Sequence, residues 1–270
     1  MIKIAICQIR TETDRAETMV KAKRMIFEAA ANGADFAVLP EMFNCPYSRE
    51  YFKKFAGLGH AETCAQLSAW AKETGMYIVG GSVPETADGK IYNTCFVYDR
   101  EGKEIARHRK IHLFDVELPG LRVRESATFA PGNDITMFET EFGTMGCAVC
   151  FDLRFPELFR AMQNRGANIV FLPAQFSMTT GPKYWEPMLR SRAFDYQYYV
   201  VGACAARYVG FNYEAYGHSA VIDPSGEVLC RAGEGEEIIY ADVDMEYLES
   251  YRQQLPTTKL RRPDLYSIAE

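Results

Sequence analysis

Three short stretches of the chain carry residues suited to catalysis, and one of them contains a pair of cysteines. Cys147 and Cys150 stand three positions apart in GTMGCAVCFDLRFPE, where an apolar run leads toward a helix. A C-x-x-C pair can ligate a metal, exchange electrons or be two unrelated thiols. Because side chains alternate along a strand, an offset of three places these thiols on opposite faces, which disfavours a shared metal. The sequence has no second cysteine pair, and its four histidines show no ligand spacing.

We interpret Cys147 as a buried apolar residue and Cys150 as a candidate nucleophile. Cys150 ends the predicted strand, and Pro156 and Glu157 suit the first turn of a helix a few residues later. Amide donors and a positive helix dipole at such a turn favour a thiolate and stabilise an oxyanion. Two inert core thiols explain this stretch equally well when it is taken alone.

The other two stretches supply carboxylates and a lysine. Glu41 directly follows FAVLP, at the carboxyl end of a predicted buried strand, where lost solvation raises the pKa of a carboxylate and suits it to proton transfer. In ARHRKIHLFDVELPG, Lys110 shares a strand face with His108, so it can point inward and stabilise an oxyanion. Glu125 follows in a loop, where it can orient Lys110. Taken singly, each of these residues is better explained as a solvated or capping side chain.

The composition places the chain among soluble globular proteins. Its 270 residues, 48% hydrophobic and 24% charged, can bury a sizeable core. A net charge of -6 leaves no basic surface for nucleic acid, and no apolar run approaches the roughly 20 residues that span a bilayer. The eight scattered cysteines are typical of reduced thiols, and we expect no signal segment. We therefore expect a cytoplasmic protein and leave a mitochondrial pool open.

Apolar periodicity predicts a mixed α/β chain that forms a single domain over residues 1–270. Helices are predicted over residues 15–31, 61–74, 156–165 and 184–196, with a shorter one after Asp244. Strands are predicted near residues 2–9, 36–39, 77–83, 94–99, 104–110, 145–150, 169–172, 199–205, 219–222, 227–231 and 238–243.

An internal repeat bears on the architecture. NGADFAVLPEMF and RGANIVFLPAQF share the frame G-A-x-x-x-x-L-P-x-x-F, and their final residues, Phe43 and Phe176, lie 133 positions apart. Each copy follows a predicted helix and runs through an apolar strand that a proline stops. We predict two related halves packed as two sheets, each covered by helices. A chance match of a common helix-to-strand pattern is the alternative.

Together these stretches resemble the motifs of the nitrilase superfamily, whose members hydrolyse carbon-nitrogen bonds with a Glu-Lys-Cys triad. LPEMFNCPY is similar to the Glu motif, RKIHLFDVELPG to the Lys motif and GCAVCFDLRFPE to the Cys motif, and the likeness covers essentially the whole chain. It implies Glu41 as general base, Lys110 as oxyanion-stabilising cation and Cys150 as nucleophile. Glu125 would be a supporting glutamate. The family fold is a four-layer α-β-β-α sandwich and its members commonly dimerise, so we expect a homodimer.

Within the superfamily the chain looks most like the omega-amidases, through FSMTTGPKYWE, YGHSAVIDPSGEV and LRRPDLY. That group removes the terminal amide of short dicarboxylic acid monoamides such as 2-oxoglutaramate, 2-oxosuccinamate and succinamate, and we expect neither a cofactor nor a metal. Deaminated glutathione amidases share much of the likeness, and the MTTG stretch favours omega-amidase. A nitrilase, a redox protein and a non-catalytic binding protein are the remaining alternatives.

The resemblance also implies a substrate pocket. Arg154 and Thr180 resemble carboxylate-binding positions, and the bidentate geometry of a guanidinium suits that role for Arg154. An ion pair with Asp152 or Glu157 is the structural alternative for this arginine. Three further residues complete the expected site: apolar walls at Phe114 and Trp185, with core packing as their alternative, and an oxyanion-binding N–H at Phe151.

Overall fold

Fifteen strands and six helices make up the described part of the chain, residues 1–209 and 213–266 of a computed structural model. The strands are β1 (Ile2–Gln8), β2 (Phe36–Val38), β3 (Tyr77–Val79), β4 (Val83–Ala87), β5 (Lys90–Tyr98), β6 (Glu104–Arg109), β7 (Asp115–Leu118), β8 (Leu121–Arg124), β9 (Thr136–Thr140), β10 (Gly143–Cys147), β11 (Ile169–Ala174), β12 (Tyr199–Cys204), β13 (Ala220–Ile222), β14 (Val228–Arg231) and β15 (Glu237–Val243). The helices are α1 (Arg15–Ala31), α2 (Arg49–Leu58), α3 (Ala61–Thr74), α4 (Pro156–Asn164), α5 (Gly181–Tyr196) and α6 (Met245–Gln254).

Two large sheets share one plan. The first has the order β15-β1-β2-β3-β5-β4, with β6 beside β5, and the second has the order β9-β10-β11-β12-β13-β14. In each sheet three central strands are parallel, and antiparallel strands flank them on both sides. The helices α1 and α4 occupy equivalent places in the two halves, between the first two parallel strands. This shared topology confirms the two related halves predicted from the internal repeat.

The central strands are buried on both faces, which explains their uniformly apolar sequences. In β1, Ile4 and Ile6 join the core between the sheets, whereas Ala5 and Cys7 join the core under α1 and α3. Phe36 of β2 meets Phe171 of β11 across the gap, with ring centroids 5.2 Å apart. The helices α4 and α5 contribute to the core on the second sheet. The layers are therefore helices, sheet, sheet and helices, as predicted.

Local signals set several helix ends. The Asp14 side chain accepts a hydrogen bond from the N–H of Ala16 at the start of α1, and Gly75 takes the left-handed conformation that ends α3. Both helices have the bounds predicted from the sequence. In the described segments, no helix combines the length and the apolar character needed to cross a membrane.

Two predicted strands differ from the observed ones. The segment predicted as one strand over residues 77–83 breaks into β3 and β4, because Gly81 has a φ of +61° and approaches Pro40 so closely that a Cβ would lie 2.2 Å from its carbonyl oxygen. The strand predicted over residues 145–150 ends at Cys147, and a 3-10 helix runs over Cys150–Arg154. The prediction also missed α2, β9 and the hairpin of β7 and β8.

Candidate active site

Lys110 lies between two carboxylates in the interior of the protein. Its Nζ donates to Oε1 of Glu41 at 2.8 Å and lies 2.9 Å from Oε2 of Glu125. The side chains of Lys110 and Glu41 are fully buried, as is almost all of Glu125. Glu41 stands 69 positions before Lys110 in the sequence, and Glu125 stands 15 positions after it. The fold thus brings together three residues that are far apart along the chain.

Glu41 lies in the turn after β2, which is bound by Asn93 of β5 and by Ser82 between β3 and β4. Its Oε1 also accepts a hydrogen bond from Nδ2 of Asn93, at 2.8 Å. The N–H of Met42 donates to Oγ of Ser82 at 3.0 Å, and the N–H of Ser82 donates to the carbonyl of Pro40. The second carboxylate oxygen, Oε2, has no hydrogen-bond partner in the described part of the chain. One oxygen is therefore fixed, and the other is available for a proton.

The position of Lys110 follows from strand alternation. It comes directly after β6, where His108 is fully buried while Arg107 and Arg109 reach outward to Glu85. The inward direction predicted for Lys110 is the one observed. Its N–H donates to the carbonyl of Asn93 at 2.8 Å, so the residue that holds Glu41 also holds the lysine backbone.

Glu125 is the supporting carboxylate of the cluster. Its Oε1 accepts a hydrogen bond from the Tyr47 hydroxyl at 2.6 Å, and its Oε2 accepts one from the N–H of Phe114 at 2.6 Å. These bonds compensate the buried carboxylate for its lost hydration. They also fix the charge that Lys110 faces.

Cys150 begins the 3-10 helix with a φ of +48°, a conformation that costs a non-glycine residue about 1–3 kcal/mol. Its thiol is buried and interacts with the Glu41 carboxylate and with the main-chain N–H of Gln175. Cys147 lies in β10, and its thiol instead meets Cys95 of the first sheet. The two cysteines of the C-x-x-C pair therefore have separate surroundings, although not through strand alternation, because Cys150 lies beyond the end of β10.

Asp152 holds the turn that carries Cys150. It accepts hydrogen bonds from the N–H of Val149 at 3.0 Å, from Nε2 of His108 at 3.0 Å and from both the N–H and Nδ1 of His112, at 2.9 and 2.8 Å. Burial alone would raise the pKa of this carboxyl, but the bonds from His108 and His112 hold its pKa well below the ordinary value. Asp152 thus ties the turn that carries Cys150 to β6.

The charges of the cluster set which groups are ionised. Burial raises the pKa of Glu41, and the positive charge of Lys110 opposes that rise. Burial alone would lower the pKa of Lys110, but Glu125 and Glu41 hold it well above the ordinary value. Burial and then the Glu41 charge raise the pKa of the Cys150 thiol, with Lys110 opposing them. Nearby N–H groups favoured a thiolate in the sequence analysis, whereas burial and the Glu41 charge raise the pKa of the thiol, so Cys150 needs a base to lose its proton.

A small cavity opens onto Cys150. Its lining residues are Phe114, Cys150, Phe151, Arg154, Gln175, Phe176, Thr180 and Tyr213. The structure thereby places Arg154 and Thr180, as well as Phe114 and Phe151, beside the thiol.

Arg154 is half-buried, with its guanidinium 4.1 Å from the ring centroid of Tyr184. It forms no ion pair with Asp152 or Glu157 in the described structure, so the structural alternative considered for this arginine does not hold. Thr180 is buried at the start of α5, with its hydroxyl 3.2 Å from that of Ser177.

Trp185 lies behind the cavity and does not line it. Its indole N–H donates to the carbonyl of His218 at 2.7 Å, and its ring packs on Phe176, which does line the cavity. The apolar wall expected at this position is therefore formed by Phe176, and Trp185 has the core-packing role that was its alternative.

A larger groove lies between α1, α2 and α3, lined among others by Phe55, Lys54 and Trp70. It holds neither a nucleophile nor a buried cluster of acids and bases, so the smaller cavity is the catalytic candidate. Among residues 1–209 and 213–266, no three His, Cys, Asp or Glu side chains are grouped so that they could hold a metal ion.

Sequence reasoning missed four residues that touch the cluster: Tyr47, Asn93, Gln175 and Tyr213. Tyr47 stands within LPEMFNCPY, so its motif was found but its hydrogen bond to Glu125 was not. Tyr213 stacks on Tyr47 with centroids 4.4 Å apart and donates to the carbonyl of Gln175 at 2.6 Å. Contacts between such distant positions leave no local pattern in a single sequence.

The chain is similar to known proteins over nearly all of its length. Residues 3–253 match the family model described as carbon-nitrogen hydrolase. Omega-amidase NIT2 from Danio rerio is 45% identical over 98% of this chain and 96% of its own length. Omega-amidase NIT2 from Xenopus tropicalis is 43% identical over 99% and 98%. The crystal structure of Saccharomyces cerevisiae Nit3, a member of branch 10 of the nitrilase superfamily, has a TM-score of 0.89 at 39% identity, covering 97% of this chain and 96% of its own. The chain therefore belongs to the carbon-nitrogen hydrolase family.

Proposed function

We propose that the protein hydrolyses the terminal amide of short dicarboxylic acid monoamides, such as 2-oxoglutaramate, 2-oxosuccinamate and succinamate, to the acid and ammonia. The observation that carries this proposal is the cavity itself, because it joins the Cys150 thiol to the guanidinium of Arg154, which forms no ion pair among the described residues. The similarity to proteins named omega-amidase over nearly the whole chain supports the same substrate class.

In the first half of the reaction, the thiol of Cys150 loses its proton to Glu41 and attacks the amide carbonyl. Glu41 is suited to this step because its Oε2 has no competing hydrogen bond and its pKa is raised. Lys110 and the main-chain N–H of Phe151 bind the oxyanion that forms. A C–S bond forms, the C–N bond breaks, and the nitrogen keeps its electron pair and takes the proton from Glu41. Ammonia leaves and a thioester remains.

In the second half, Glu41 removes a proton from a water molecule that attacks the thioester carbonyl. The same oxyanion donors stabilise the second tetrahedral intermediate. When the C–S bond breaks, the thiolate recovers a proton and the acid is released. Glu125 has no direct part in either step: it holds Lys110 in place and balances its charge.

Arg154 and Thr180 are the proposed partners of the free carboxylate on the substrate. Glu41, Glu125 and Lys110 carry a combined charge of minus one when all three are ionised, so an anionic substrate needs a further cation. Arg154 supplies it from the nucleophile turn, at the cavity wall. Deaminated glutathione, which is a longer acid, is the second candidate substrate.

Release of ammonia from 2-oxoglutaramate, succinamate and deaminated glutathione tests the proposal, with the Cys150→Ala variant as control. Fast, cysteine-dependent release from the two small monoamides is expected. Release from deaminated glutathione alone would overturn the substrate assignment and keep the catalytic one. Assay of the nitrile that corresponds to the best amide distinguishes an amidase from a nitrilase.

We also propose a homodimer in a reducing compartment such as the cytoplasm. All eight cysteines lie in the described residues and are free thiols, which supports the compartment. Phe194 of α5 and Leu229 of β14 expose apolar side chains on the outside of the second half, a feature that a partner subunit would cover. Light scattering coupled to size-exclusion chromatography measures the mass and would reject the dimer if it gave about 31 kDa, the mass of one 30.6 kDa chain.

A further inference from the structure

A buried acceptor without a partner lies on the wall of the catalytic cavity. Gln175 is the first residue after β11 and is 6% exposed. Its Oε1 is buried and has no hydrogen-bond partner among the described residues. Leaving such a group unsatisfied costs about 1–3 kcal/mol, so a native site retains it where a ligand supplies the missing donor.

The backbone of Gln175 is fixed relative to the nucleophile. Its N–H interacts with the Cys150 thiol, and its carbonyl accepts the hydroxyl of Tyr213 at 2.6 Å. Both neighbours line the cavity with it. The residue is thus held beside the Cys150 thiol, on the wall of the cavity.

Asn93 offers an instructive contrast. Its Oδ1 is also buried without a partner, but its Nδ2 is bound to Glu41 and the residue does not line the cavity. Glu41 Oε2, the other free acceptor of the cluster, is required for the proton of the thiol. Gln175 is therefore the acceptor that remains for a donor on the substrate.

The leaving group of the proposed reaction has donors to offer. When the amide nitrogen becomes tetrahedral, it keeps two N–H bonds and gains a lone pair, and that lone pair must face Glu41 to receive the proton. At least one N–H then points elsewhere in the cavity. A fixed acceptor for that N–H orients the lone pair toward Glu41 and stabilises the transition state in which the C–N bond breaks.

We propose that Oε1 of Gln175 accepts a hydrogen bond from the departing nitrogen and thereby selects primary amides over esters and fully substituted amides. This inference rests on the proposed amide hydrolysis and adds a specificity residue to it. An ester has no N–H at the leaving atom, so it leaves Oε1 of Gln175 unsatisfied. The acyl part, and the thioester formed from it, are the same for an ester and its matching amide.

The Gln175→Met variant tests the proposal, because methionine keeps the length of the side chain and removes the acceptor. The measurement is kcat/KM for succinamate and for monomethyl succinate, in the variant and in the unsubstituted protein. The amide value should fall about 10-fold to 100-fold, while the ester value changes less than about threefold, as expected for one lost hydrogen bond to the leaving group. Gln175→Asn keeps an oxygen acceptor but places it one carbon further back. Its kcat/KM for succinamate should lie between that of the unsubstituted protein and that of Gln175→Met.

Gln163→Met is the matched control. Gln163 lies in α4, is 8% exposed and also has an unpartnered Oε1, but it does not line the cavity. This variant should leave kcat/KM unchanged for both succinamate and monomethyl succinate. Equal losses on amide and ester for Gln175→Met, or no loss on either, would overturn the inference.

The test separates this inference from the proposed substrate class. If no dicarboxylic monoamide releases ammonia, the proposed substrate class is wrong. The effect of Gln175→Met on kcat/KM is then measured for propionamide and for methyl propionate. A selective loss on propionamide would support the role of Gln175 for primary amides in general. Absence of turnover for every primary amide would overturn both proposals.

Discussion

Glu41 follows the end of β2, whereas Ala174 stands at the equivalent position of β11. One residue later, Met42 corresponds to Gln175. The two strands share the frame of the internal repeat and lie in matching places in their sheets. In the first half the strand end provides a carboxylate, and in the second half it provides a neutral amide beside the thiol.

The strands next to them differ in the same way. The registers of β1 on β2 and of β10 on β11 place Ile9, a buried apolar residue, where the second half has Cys150. In the proposed mechanism, the first half supplies the base and the cation, and the second supplies the nucleophile. A repeated fold can thus distribute a reaction over two halves, each of which lacks what the other contributes.

The largest effect is expected when Cys150 is replaced by an apolar residue like Ile9, its counterpart in the first half. Cys150→Ala should lower kcat by at least about 10⁴-fold, because no other thiol lines the cavity. Thermal unfolding should stay close to that of the unsubstituted protein, since an apolar residue fits this buried position. Ammonia release above about 1% of the original rate would contradict the assignment of the nucleophile.

Glu41→Gln removes the charge that distinguishes the end of β2. We expect kcat/KM to fall about 10²-fold to 10⁴-fold, the range for loss of a general base. The thiol should nevertheless ionise more readily, because the Glu41 charge is one cause of its raised pKa. The pH midpoint for alkylation of Cys150 by iodoacetamide should therefore move to lower pH, and a move to higher pH would refute this electrostatic account.

Arg154→Gln tests the cation on the nucleophile turn of the second half. The KM for succinamate should rise about 10-fold to 100-fold, as expected for loss of a charged hydrogen bond, while kcat changes little. Propionamide, which has no free carboxylate, serves as the control and should be hydrolysed by both proteins at similar rates. An equal effect on both amides would show that Arg154 acts on the fold and not on the carboxylate.

Asp152→Asn weakens the link between the nucleophile turn and β6. The free energy of unfolding at pH 7 should fall by about 1–3 kcal/mol, since hydrogen bonds from His108 and His112 lose a charged acceptor. The folded pKa of Asp152 is depressed, so its contribution is present above the ordinary aspartate pKa of about 4 and is lost as pH falls below it. Urea unfolding of both proteins at pH 7 and pH 3 measures the difference in their free energies of unfolding, which should be smaller at pH 3. A larger difference at pH 3 would contradict this account.

Cys147→Ala should have the smallest effect on catalysis. Its thiol faces Cys95 between the sheets, so kcat/KM should stay within about threefold. Intact mass of the protein trapped during slow turnover should locate the acyl group on Cys150 in this variant, as in the unsubstituted protein. An adduct that disappeared with Cys147 would reverse the roles of the two cysteines.

Local patterns were sufficient for the elements that carry their own end signals. The bounds of α1 and α3 were predicted correctly because Asp14 and Gly75 act within a few residues of each helix. The helix α2 was missed although Ser48 caps it, since its ten residues are few for a periodic pattern to stand out.

The members of the buried cluster were predicted through strand alternation and motif resemblance, but their electrostatics were not. A turn with nearby N–H groups suggested a thiolate at Cys150, whereas burial and the charge of Glu41 raise the pKa of the thiol. Those effects depend on how two sheets pack, which a local reading cannot supply. Asn93 and Gln175 were missed for the same reason, because their roles arise from contacts across long sequence separations.

The contact between Phe36 and Phe171 has a consequence for the chemistry some distance away. These rings belong to the layer that separates the sheets, and the sheets carry Glu41 and Cys150 respectively. We therefore expect the packing of this layer to set the distance between the Glu41 carboxylate and the Cys150 thiol. A substitution that thins the layer should slow the proposed proton transfer without contacting either residue, so the rate of amide hydrolysis should report on packing between the sheets.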